Sequence, residues 1–329
     1  MELNELSTPV LWADIDVFEK NLATMSAAWP GTSLRPHVKA HKATRIAARQ
    51  AEIGHTAFTC ATPREVVGLA EAGLGSDILL ANETVDPSRL KAMAAIDGTA
   101  TVAVDSEATI DAAVAAGISA VLIDLRVGFR CGCAVEEAGP LADRARVGGL
   151  DVRGVMGYEG HAMGNLDKAE RVRLAEGAME RLTRAHADVG GDIVSGGGTG
   201  TWDINTTVNE LQAGSYILMD TAYTAQQQPF EQGLFVQGTV ISVAPKYAVC
   251  DVGLKALGMD HGNPSMVQGE VRGCSDEHTV FVPHDGASVG DRVTLTPAHI
   301  DPTMAQHSTL VMVQGHNVVD TWPIDLRGW

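Results

Sequence analysis

The sequence predicts an α/β protein: a (β/α)₈ barrel of the TIM type followed by a carboxyl-terminal antiparallel β domain. Two observations carry this prediction. From residue 34 to about residue 219, short apolar runs alternate with amphipathic helical segments, which indicates a parallel sheet. After about residue 235 the runs are short, β-branched and separated by turn residues, as in antiparallel sheets. The predicted barrel domain spans 20–235, and segments 1–19 and 236–329 form the β domain.

The barrel prediction depends on a count of eight strands, because eight alternating strands imply a closed barrel. An open doubly wound sheet is the alternative architecture. Several of the intervening helical segments end in glycine, the usual helix stop, and the last connection, 201–210, has only weak helical potential. The predicted strands are 34–39, 57–61, 77–81, 100–105, 119–124, 152–158, 192–195 and 211–219, and the predicted helices are 44–54, 63–75, 87–98, 107–117, 136–149 and 167–191.

The β domain is predicted from six short runs with strand composition. The opening segment TPVLWADID, residues 8–16, has the same character and is expected to join that domain. The six runs are 235–244, 247–253, 267–274, 278–283, 291–297 and 308–315.

Composition excludes several classes of function. Lysine and arginine number 24 against 41 aspartate and glutamate, a net charge of −17, which argues against nucleic-acid binding because that requires a basic surface. No run approaches the roughly 18 apolar residues of a membrane span, and the amino terminus lacks the pattern of a signal peptide. Five cysteines without a framework spacing suit a reducing cytoplasm. Cys131 and Cys133 are interpreted as structural thiols, since no second pair nearby completes a zinc site.

The stretch LRPHVKAHK, residues 34–42, places cationic side chains on one face of the first predicted strand. Strand alternation directs Arg35, His37 and Lys39 into the barrel, while Lys42 lies beyond the strand. Desolvation and neighbouring positive charge favour the neutral amine of Lys39. A neutral amine forms Schiff bases with aldehydes, and a lysine paired with a carboxylate is the alternative. Arg35 and His37 are expected to position a cofactor bound at Lys39 and to keep the Lys39 amine neutral.

Two hydroxyl-rich segments follow the last two predicted barrel strands. They are VSGGGTGT, residues 194–201, and AGSY, residues 213–216. Backbone N–H groups of such loops hold phosphates, and phosphate sites of this fold use these positions, although a glycine run also serves as a plain turn. A phosphate site beside an inward lysine suggests pyridoxal phosphate.

The segment PAHIDPT, residues 297–303, places His299 and Asp301 two positions apart in the β domain. On an extended segment both side chains face the same way. An imidazole and a carboxylate with open positions suit a divalent cation such as Mn²⁺ or Zn²⁺. The alternative is a surface histidine that happens to lie near an aspartate.

Motifs in order along nearly the whole chain resemble the metal-activated D-threonine aldolases, an alanine racemase-like (fold type III) family of pyridoxal phosphate enzymes. They include LRPHVKAHK, VGFRCG, GYEGH, SGGGTGT, LQAGSYILMD, DVGLKAL, SDEH, PAHIDPT and WPIDLRG. The resemblance implies that Lys39 bonds covalently to the cofactor, that Arg130 and Tyr158 line it, and that His299 and Asp301 bind the metal. The phosphate cup implied by the resemblance consists of Ser195, Gly197, Thr199, Gly214, Ser215 and Tyr216.

The resemblance also implies an activity, the cleavage of β-hydroxy-D-amino acids to glycine and an aldehyde. Mn²⁺ is the expected metal, with Mg²⁺ or Zn²⁺ as alternatives, and a cytoplasmic homodimer is the expected assembly. Related D-serine and D-3-hydroxyaspartate dehydratases usually carry cysteine at the second metal position, so Asp301 favours the aldolase. Other family members carry a histidine a few residues beyond the tyrosine. Here His161 lies three residues after Tyr158, and it is not assigned as a base.

Two further functions fit the sequence less well. A racemase has no evident use for the metal pair. A pyridoxal phosphate-binding homeostasis protein is typically a barrel alone, so the β domain argues against it. The expected partner is a small-molecule amino acid, with no nucleic acid and no membrane.

Overall fold

The computed structural model describes all of the chain, residues 1–329, and the chain divides into two compact units. The barrel unit comprises Ser26–Lys39, Thr44–Gly214 and Leu326–Trp329, and the β unit comprises Met1–Met25, Ala40–Ala43 and Ser215–Asp325. The chain begins with strand β1 (Val10–Asp14) and helix α1 (Ile15–Ala28). The sequence prediction included the strand but not the helix.

Seven parallel strands, paired in sequence order, form the regular part of the barrel. All six predicted helices are present, the first before this sheet and the other five between its successive strands, together with a short additional helix after the fifth of the seven strands. The strands are β2 (Ala57–Cys60), β3 (Asp77–Leu80), β4 (Thr99–Val104), β5 (Ala120–Asp124), β6 (Asp151–Gly157), β7 (Ile193–Gly196) and β8 (Glu210–Leu211), and the helices are α2 (Thr44–Glu52), α3 (Pro63–Glu71), α4 (Pro87–Ala94), α5 (Glu107–Ala116), α6 (Val135–Val147), α7 (Gly160–Met163) and α8 (Lys168–Val189).

Residues 34–37 close the ring of strands, although they are not a regular strand. On one side the Arg35 and His37 amides donate to the carbonyls of Leu211 (2.9 Å) and Ala213 (3.1 Å). On the other side the Thr59 amide donates to the Pro36 carbonyl at 2.9 Å. These bonds join β8 to β2, so the predicted eight-stranded barrel is confirmed.

Two predicted strands are shorter than expected. The first ends where the 3₁₀ turn Val38–Ala40 begins, and the last is reduced to Glu210–Leu211, with a second 3₁₀ turn at Ser215–Ile217. Gly197 follows β7 with φ of +73°, so the neighbouring strand turns away and offers no further ladder partner. The apolar pattern of 211–219 has the right period, but a parallel strand extends only as far as its neighbour does.

Alternation along the strands separates two apolar cores. Inward-facing side chains from β3 to β7 meet inside the barrel, namely Leu79, Ala103, Leu122, Met156 and Ile193. The larger core packs the outer strand faces against the helices and includes Val38. The assignment of Val38 to the helix side agrees with the parity predicted for this segment.

A buried ion-pair network fills the end of the barrel where the strands begin. Arg35 is 1% exposed and donates to both carboxylate oxygens of Glu210 (2.9 and 2.7 Å) and to Asp77 at 3.0 Å. Arg153 donates to Asp77 at 2.6 and 2.8 Å and to Thr101 at 2.6 Å. The expectation that Arg35 positions a cofactor is therefore wrong, because two carboxylates at the opposite end of the strands hold its guanidinium.

Asp77 makes stability depend on pH in the acid range. Burial alone would raise the pKa of Asp77, but the hydrogen bonds and charges of Arg153 and Arg35 lower it from 3.8 to about 2. This stabilisation is present above the pKa of Asp77 in the unfolded chain, and it is lost as the pH falls through the pKa of Asp77 in the folded protein. Asp77→Asn is expected to lower the free energy of unfolding by about 2 kcal/mol at pH 7. Urea denaturation should show that the difference in free energy of unfolding between the two proteins is about half as large at pH 3 as at pH 7. A difference that does not change with pH would contradict this account.

The β unit contains an antiparallel sheet of the predicted kind, and the opening strand pairs within it. Its main sheet has the order β12-β13-β10-β9-β1-β15-β16, and β14 pairs with β9 and β11. Strand β1 pairs parallel to β15 and antiparallel to β9. The elements are α9 (Thr221–Thr224), β9 (Leu234–Ala244), β10 (Tyr247–Cys250), β11 (Ser265–Met266), β12 (Gly269–Cys274), β13 (Thr279–Pro283), β14 (Arg292–Thr296), α10 (Ile300–Gln306), β15 (Thr309–Gln314) and β16 (Asn317–Pro323).

Candidate active site

Lys39 lies at the carboxyl-terminal edge of the barrel strands. It follows His37, whose amide bonds to the Ala213 carbonyl, and it sits within the 3₁₀ turn Val38–Ala40. The Lys39 side chain is half-buried, and His37 is buried on the same segment. Active sites of (β/α)₈ barrels are built at this edge, so the position of Lys39 suits a covalent attachment point.

Arg130 and Tyr158 come together at the same edge from neighbouring strands. Arg130 is in the loop that follows β5, and Tyr158 directly follows β6. The Arg130 guanidinium carbon lies 5.3 Å from the centre of the Tyr158 ring, within the range of a cation–π contact. A cationic group and an aromatic ring are thus available to a bound cofactor ring.

The glycine-rich loop after β7 forms a cradle in which side chains larger than hydrogen do not fit. A Cβ atom at Gly197 would lie 2.5 Å from Leu211, and one at Gly200 would lie 2.6 Å from the Met163 carbonyl oxygen. Ser195 and Thr199 are buried there, and the Ser195 hydroxyl accepts a hydrogen bond from Gln212 at 2.9 Å. Small residues, buried hydroxyls and a left-handed turn fit a phosphate group.

Glu159 supports this loop and was not identified from the sequence. It is fully buried and accepts hydrogen bonds from the Gly197 amide (3.2 Å), the Thr201 hydroxyl (2.8 Å) and the Asn205 amide (3.1 Å). Burial raises the pKa of Glu159 above its ordinary value, although the three donors act in the opposite direction. The sequence signal that could have identified Glu159 is a charged residue between Tyr158 and a glycine, directly after a barrel strand.

Glu159→Ala is expected to destabilise the protein, because three buried donors lose their acceptor. Each unsatisfied buried donor costs about 1–3 kcal/mol, so the free energy of unfolding should fall by roughly 3 kcal/mol or more. Urea denaturation measures this loss. Glu159→Gln retains one carbonyl acceptor and is the matched control, for which a smaller loss is expected. Equal stability of Glu159→Ala and the parent protein would contradict the supporting role.

The other predicted phosphate-cup residues fall on either side of the division between the units. Gly214 is buried and ends the longest segment of the barrel unit. Ser215 and Tyr216 begin the 3₁₀ turn Ser215–Ile217 of the β unit. Within that unit the Ser215 hydroxyl lies 3.5 Å from Asp301, and the buried Tyr216 ring packs 5.7 Å from the Phe230 ring.

The predicted metal pair occupies the start of helix α10. His299 is the residue before the helix, with an extended backbone, and Asp301 lies in the first turn. His299 Nε2 and Asp301 Oδ2 are 3.6 Å apart, and the two side chains are 21% and 16% exposed. Burial lowers the pKa of His299, but Asp301 and Asp260 outweigh it and raise the pKa above its usual value. One nitrogen and one oxygen donor at this separation fit a divalent cation.

Asp220 positions the helix that carries this pair, and it too was not identified from the sequence. The Asp220 carboxylate is fully buried and accepts the amide protons of Ile300 (3.0 Å) and Tyr223 (2.9 Å). Burial raises the pKa of Asp220 above its ordinary value. Because Ile300 lies between the two predicted ligands, the Asp220 contact holds their backbone.

Cys133 is buried and Cys131 is exposed, and both thiols have raised pKa values. Glu83 raises the pKa of Cys131 to about 11, and burial raises the pKa of Cys133 to about 12. Thiols with raised pKa values remain protonated at neutral pH and react slowly. His161 lies near the loop that contains these cysteines, and the centre of its ring is 6.0 Å from the centre of the Phe129 ring.

The chain belongs to the family described as alanine racemase, N-terminal domain, which matches residues 13–222. Enzymes of this fold family use pyridoxal phosphate. Residues 233–313 match a putative serine dehydratase domain. The described structure contains no helix with the length and apolarity that crossing a membrane requires.

Two relatives and one solved structure are similar to this chain over nearly its whole length. The chain is 33% identical to a D-threonine aldolase from Arthrobacter sp, over 99% of this chain and 94% of the relative. It is 33% identical to a 3-hydroxy-D-aspartate aldolase from Paracoccus denitrificans (strain Pd 1222), over 100% of this chain and 94% of the relative. The crystal structure of D-threonine aldolase from Filomicrobium marinum superposes with a TM-score of 0.94 at 31% identity, covering 100% and 98% of the two chains.

Proposed function

We propose that this protein is a carbon–carbon lyase that cleaves β-hydroxy-D-amino acids, of the D-threonine, D-allo-threonine and D-phenylserine type, to glycine and an aldehyde. The observation that carries the proposal is the His299–Asp301 pair, with donor atoms 3.6 Å apart, in a chain of a pyridoxal phosphate family. The names of both aldolase relatives support it.

In the proposed site, Lys39 would hold the cofactor covalently through its side-chain amine. Pyridoxal phosphate supplies an electron sink for the pair of electrons left when the Cα–Cβ bond breaks. Arg130 and Tyr158 orient the cofactor ring. Ser195, Gly197, Thr199, Gly214, Ser215 and Tyr216 would hold the phosphate, and the hydrogen bonds that Glu159 accepts would keep the glycine loop in shape.

The metal ligands carry the second part of the proposal. A divalent cation bound there, with Mn²⁺ preferred and Mg²⁺ or Zn²⁺ as alternatives, would supply Lewis-acid chemistry that lowers the pKa of the β-hydroxyl group. His299 and Asp301 hold that cation and leave positions open for water and substrate. Asp220 fixes the backbone between them by accepting the Ile300 amide proton.

A dehydratase is the second candidate, since residues 233–313 match a putative serine dehydratase domain. Such an enzyme expels the β-hydroxyl and yields a 2-keto acid and ammonia. Asp301 favours the aldolase, because cysteine is usual at this position in the related dehydratases. We also propose that the protein is a homodimer and is located in the cytoplasm. Light scattering, which measures the molar mass in solution, tests the homodimer.

Two substrates separate the candidates. With Mn²⁺ and pyridoxal phosphate, D-phenylserine is expected to release benzaldehyde, which is followed by its ultraviolet absorbance, whereas L-phenylserine should not react. D-Serine is expected to give no pyruvate in an assay coupled to lactate dehydrogenase. Pyruvate from D-serine, without benzaldehyde from D-phenylserine, would establish the dehydratase instead.

A further inference from the structure

A second segment of the β unit, residues 258–261, lies against the predicted metal pair. Gly258 forms an antiparallel bridge with His299, and its amide donates to the Thr303 hydroxyl at 2.8 Å. That hydroxyl in turn donates to the His299 carbonyl at 2.6 Å. A Cβ atom at Gly258 would lie 2.4 Å from Pro302, so the two segments are in close contact. This contact fixes the residues that follow Gly258 beside the His299 ring.

Asp260 makes the shortest polar contact of that ring. Its Oδ2 atom lies 2.7 Å from His299 Nδ1, on the side away from Asp301, which faces Nε2. A carboxylate only accepts hydrogen bonds, so Nδ1 is the donor in this contact. Asp260 therefore occupies Nδ1, and Nε2 is the ring nitrogen that shares a side with the Asp301 carboxylate.

His261 completes a group whose donor atoms, with those of Asp260 and His299, all lie within 4.8 Å of one another. Proximity alone would make these three residues a metal site. However, the His261 and His299 rings are stacked, with centres 4.0 Å apart and planes 8° from parallel. Imidazole lone pairs lie in the ring plane, so two parallel rings do not direct them to one ion. The geometry excludes a three-ligand site in this arrangement.

We infer that Asp260 is a positioning residue that orients His299 for metal binding through Nε2, and that His261 holds the ring plane by stacking. This inference rests on the proposed function, because it takes His299 and Asp301 as the metal ligands. Histidine ligands commonly donate their second ring proton to a carboxylate, which fixes the tautomer and raises ligand basicity. Asp260 and His261 thereby influence the metal without touching it.

The test measures Mn²⁺ affinity directly on the metal-stripped, cofactor-loaded enzyme, using the electron paramagnetic resonance signal of free Mn²⁺. Asp260→Asn is expected to weaken binding by roughly 10- to 100-fold, the usual cost of losing such a partner. Asp276→Asn removes the same charge from an exposed position of the β unit and is the matched control. An affinity of Asp260→Asn equal to that of the control would overturn the inference.

His261→Ala separates stacking from ligation, since it should cost far less affinity than His299→Ala. Loss of binding in His261→Ala as large as that in His299→Ala would make His261 a ligand and overturn the inference. Unchanged binding in His299→Ala would instead refute the metal pair of the proposed function. An unaltered absorbance of the bound cofactor shows in each case that the variant is folded.

A measurement on the unsubstituted protein avoids any effect of substitution. Nitrogen-15 chemical shifts of labelled histidine, assigned by the signal missing in His299→Ala, report which ring nitrogen carries the proton. At a pH high enough for the ring to be neutral, the Nδ1–H tautomer of His299 is expected in the metal-free, cofactor-loaded enzyme. The Nε2–H tautomer would overturn the inference.

Discussion

Lys39→Ala is expected to remove the visible absorbance of the lysine-bound cofactor and to lower the rate of cleavage by on the order of 10³-fold or more. The amine both attaches the cofactor and is available for proton transfer, and a positioned acid–base group alone contributes about 10²–10⁴-fold. Absorbance spectroscopy and the benzaldehyde assay measure the two effects separately. Survival of the band in Lys39→Ala would show that another residue holds the cofactor.

The adjacent lysine provides a matched control for this prediction. Lys39→Arg and Lys42→Arg both keep a positive charge and both lose a primary amine. Only Lys39→Arg should lose the absorbance band, because Lys42 lies past the 3₁₀ turn, in the separate segment Ala40–Ala43 of the β unit. The opposite pattern would assign the cofactor to Lys42.

Removal of the metal is expected to stop cleavage while the cofactor remains bound. Lewis-acid catalysis is worth several kcal/mol, and each 1.4 kcal/mol corresponds to about tenfold in rate. Treatment with EDTA should therefore lower cleavage of D-phenylserine by roughly 10³-fold, and added Mn²⁺ should restore it. The absorbance of the bound cofactor should not change.

Substitution of the ligands makes the same prediction specific to His299 and Asp301. His299→Ala and Asp301→Ala are each expected to behave as the EDTA-treated protein does, without recovery at the Mn²⁺ concentration that restores the parent enzyme. Asp276→Asn again controls for charge. Full metal-dependent cleavage in His299→Ala would contradict the role given to the pair.

Local patterns were sufficient for most of the fold. Apolar periodicity located the barrel strands and six helices, and Gly117, with φ of +81°, ends α5 at the glycine that predicted the stop. The prediction was wrong where an element depends on its neighbour. The strand after Leu211 ends early because β7 turns away at Gly197, and no property of 211–219 itself reports that.

The candidate site was likewise predictable only where its residues follow local sequence patterns. Lys39 and the glycine loop were visible because barrel sites follow strand ends. Asp260, 39 positions before His299, and Glu159, 38 positions before Gly197, were not visible, because only the tertiary fold brings them together. Arg35 was misassigned for a related reason. Strand parity gave its direction, into the barrel, but not its carboxylate partners Asp77 and Glu210.

The proposed reaction is tested most directly by its products from a single substrate. The enzyme loaded with pyridoxal phosphate and Mn²⁺ is incubated with D-threonine, and the mixture is followed by proton NMR. Glycine and acetaldehyde are expected in equal amounts, with neither formed when Mn²⁺ is omitted. Formation of 2-oxobutanoate and ammonia, or unchanged D-threonine, would contradict the proposed cleavage.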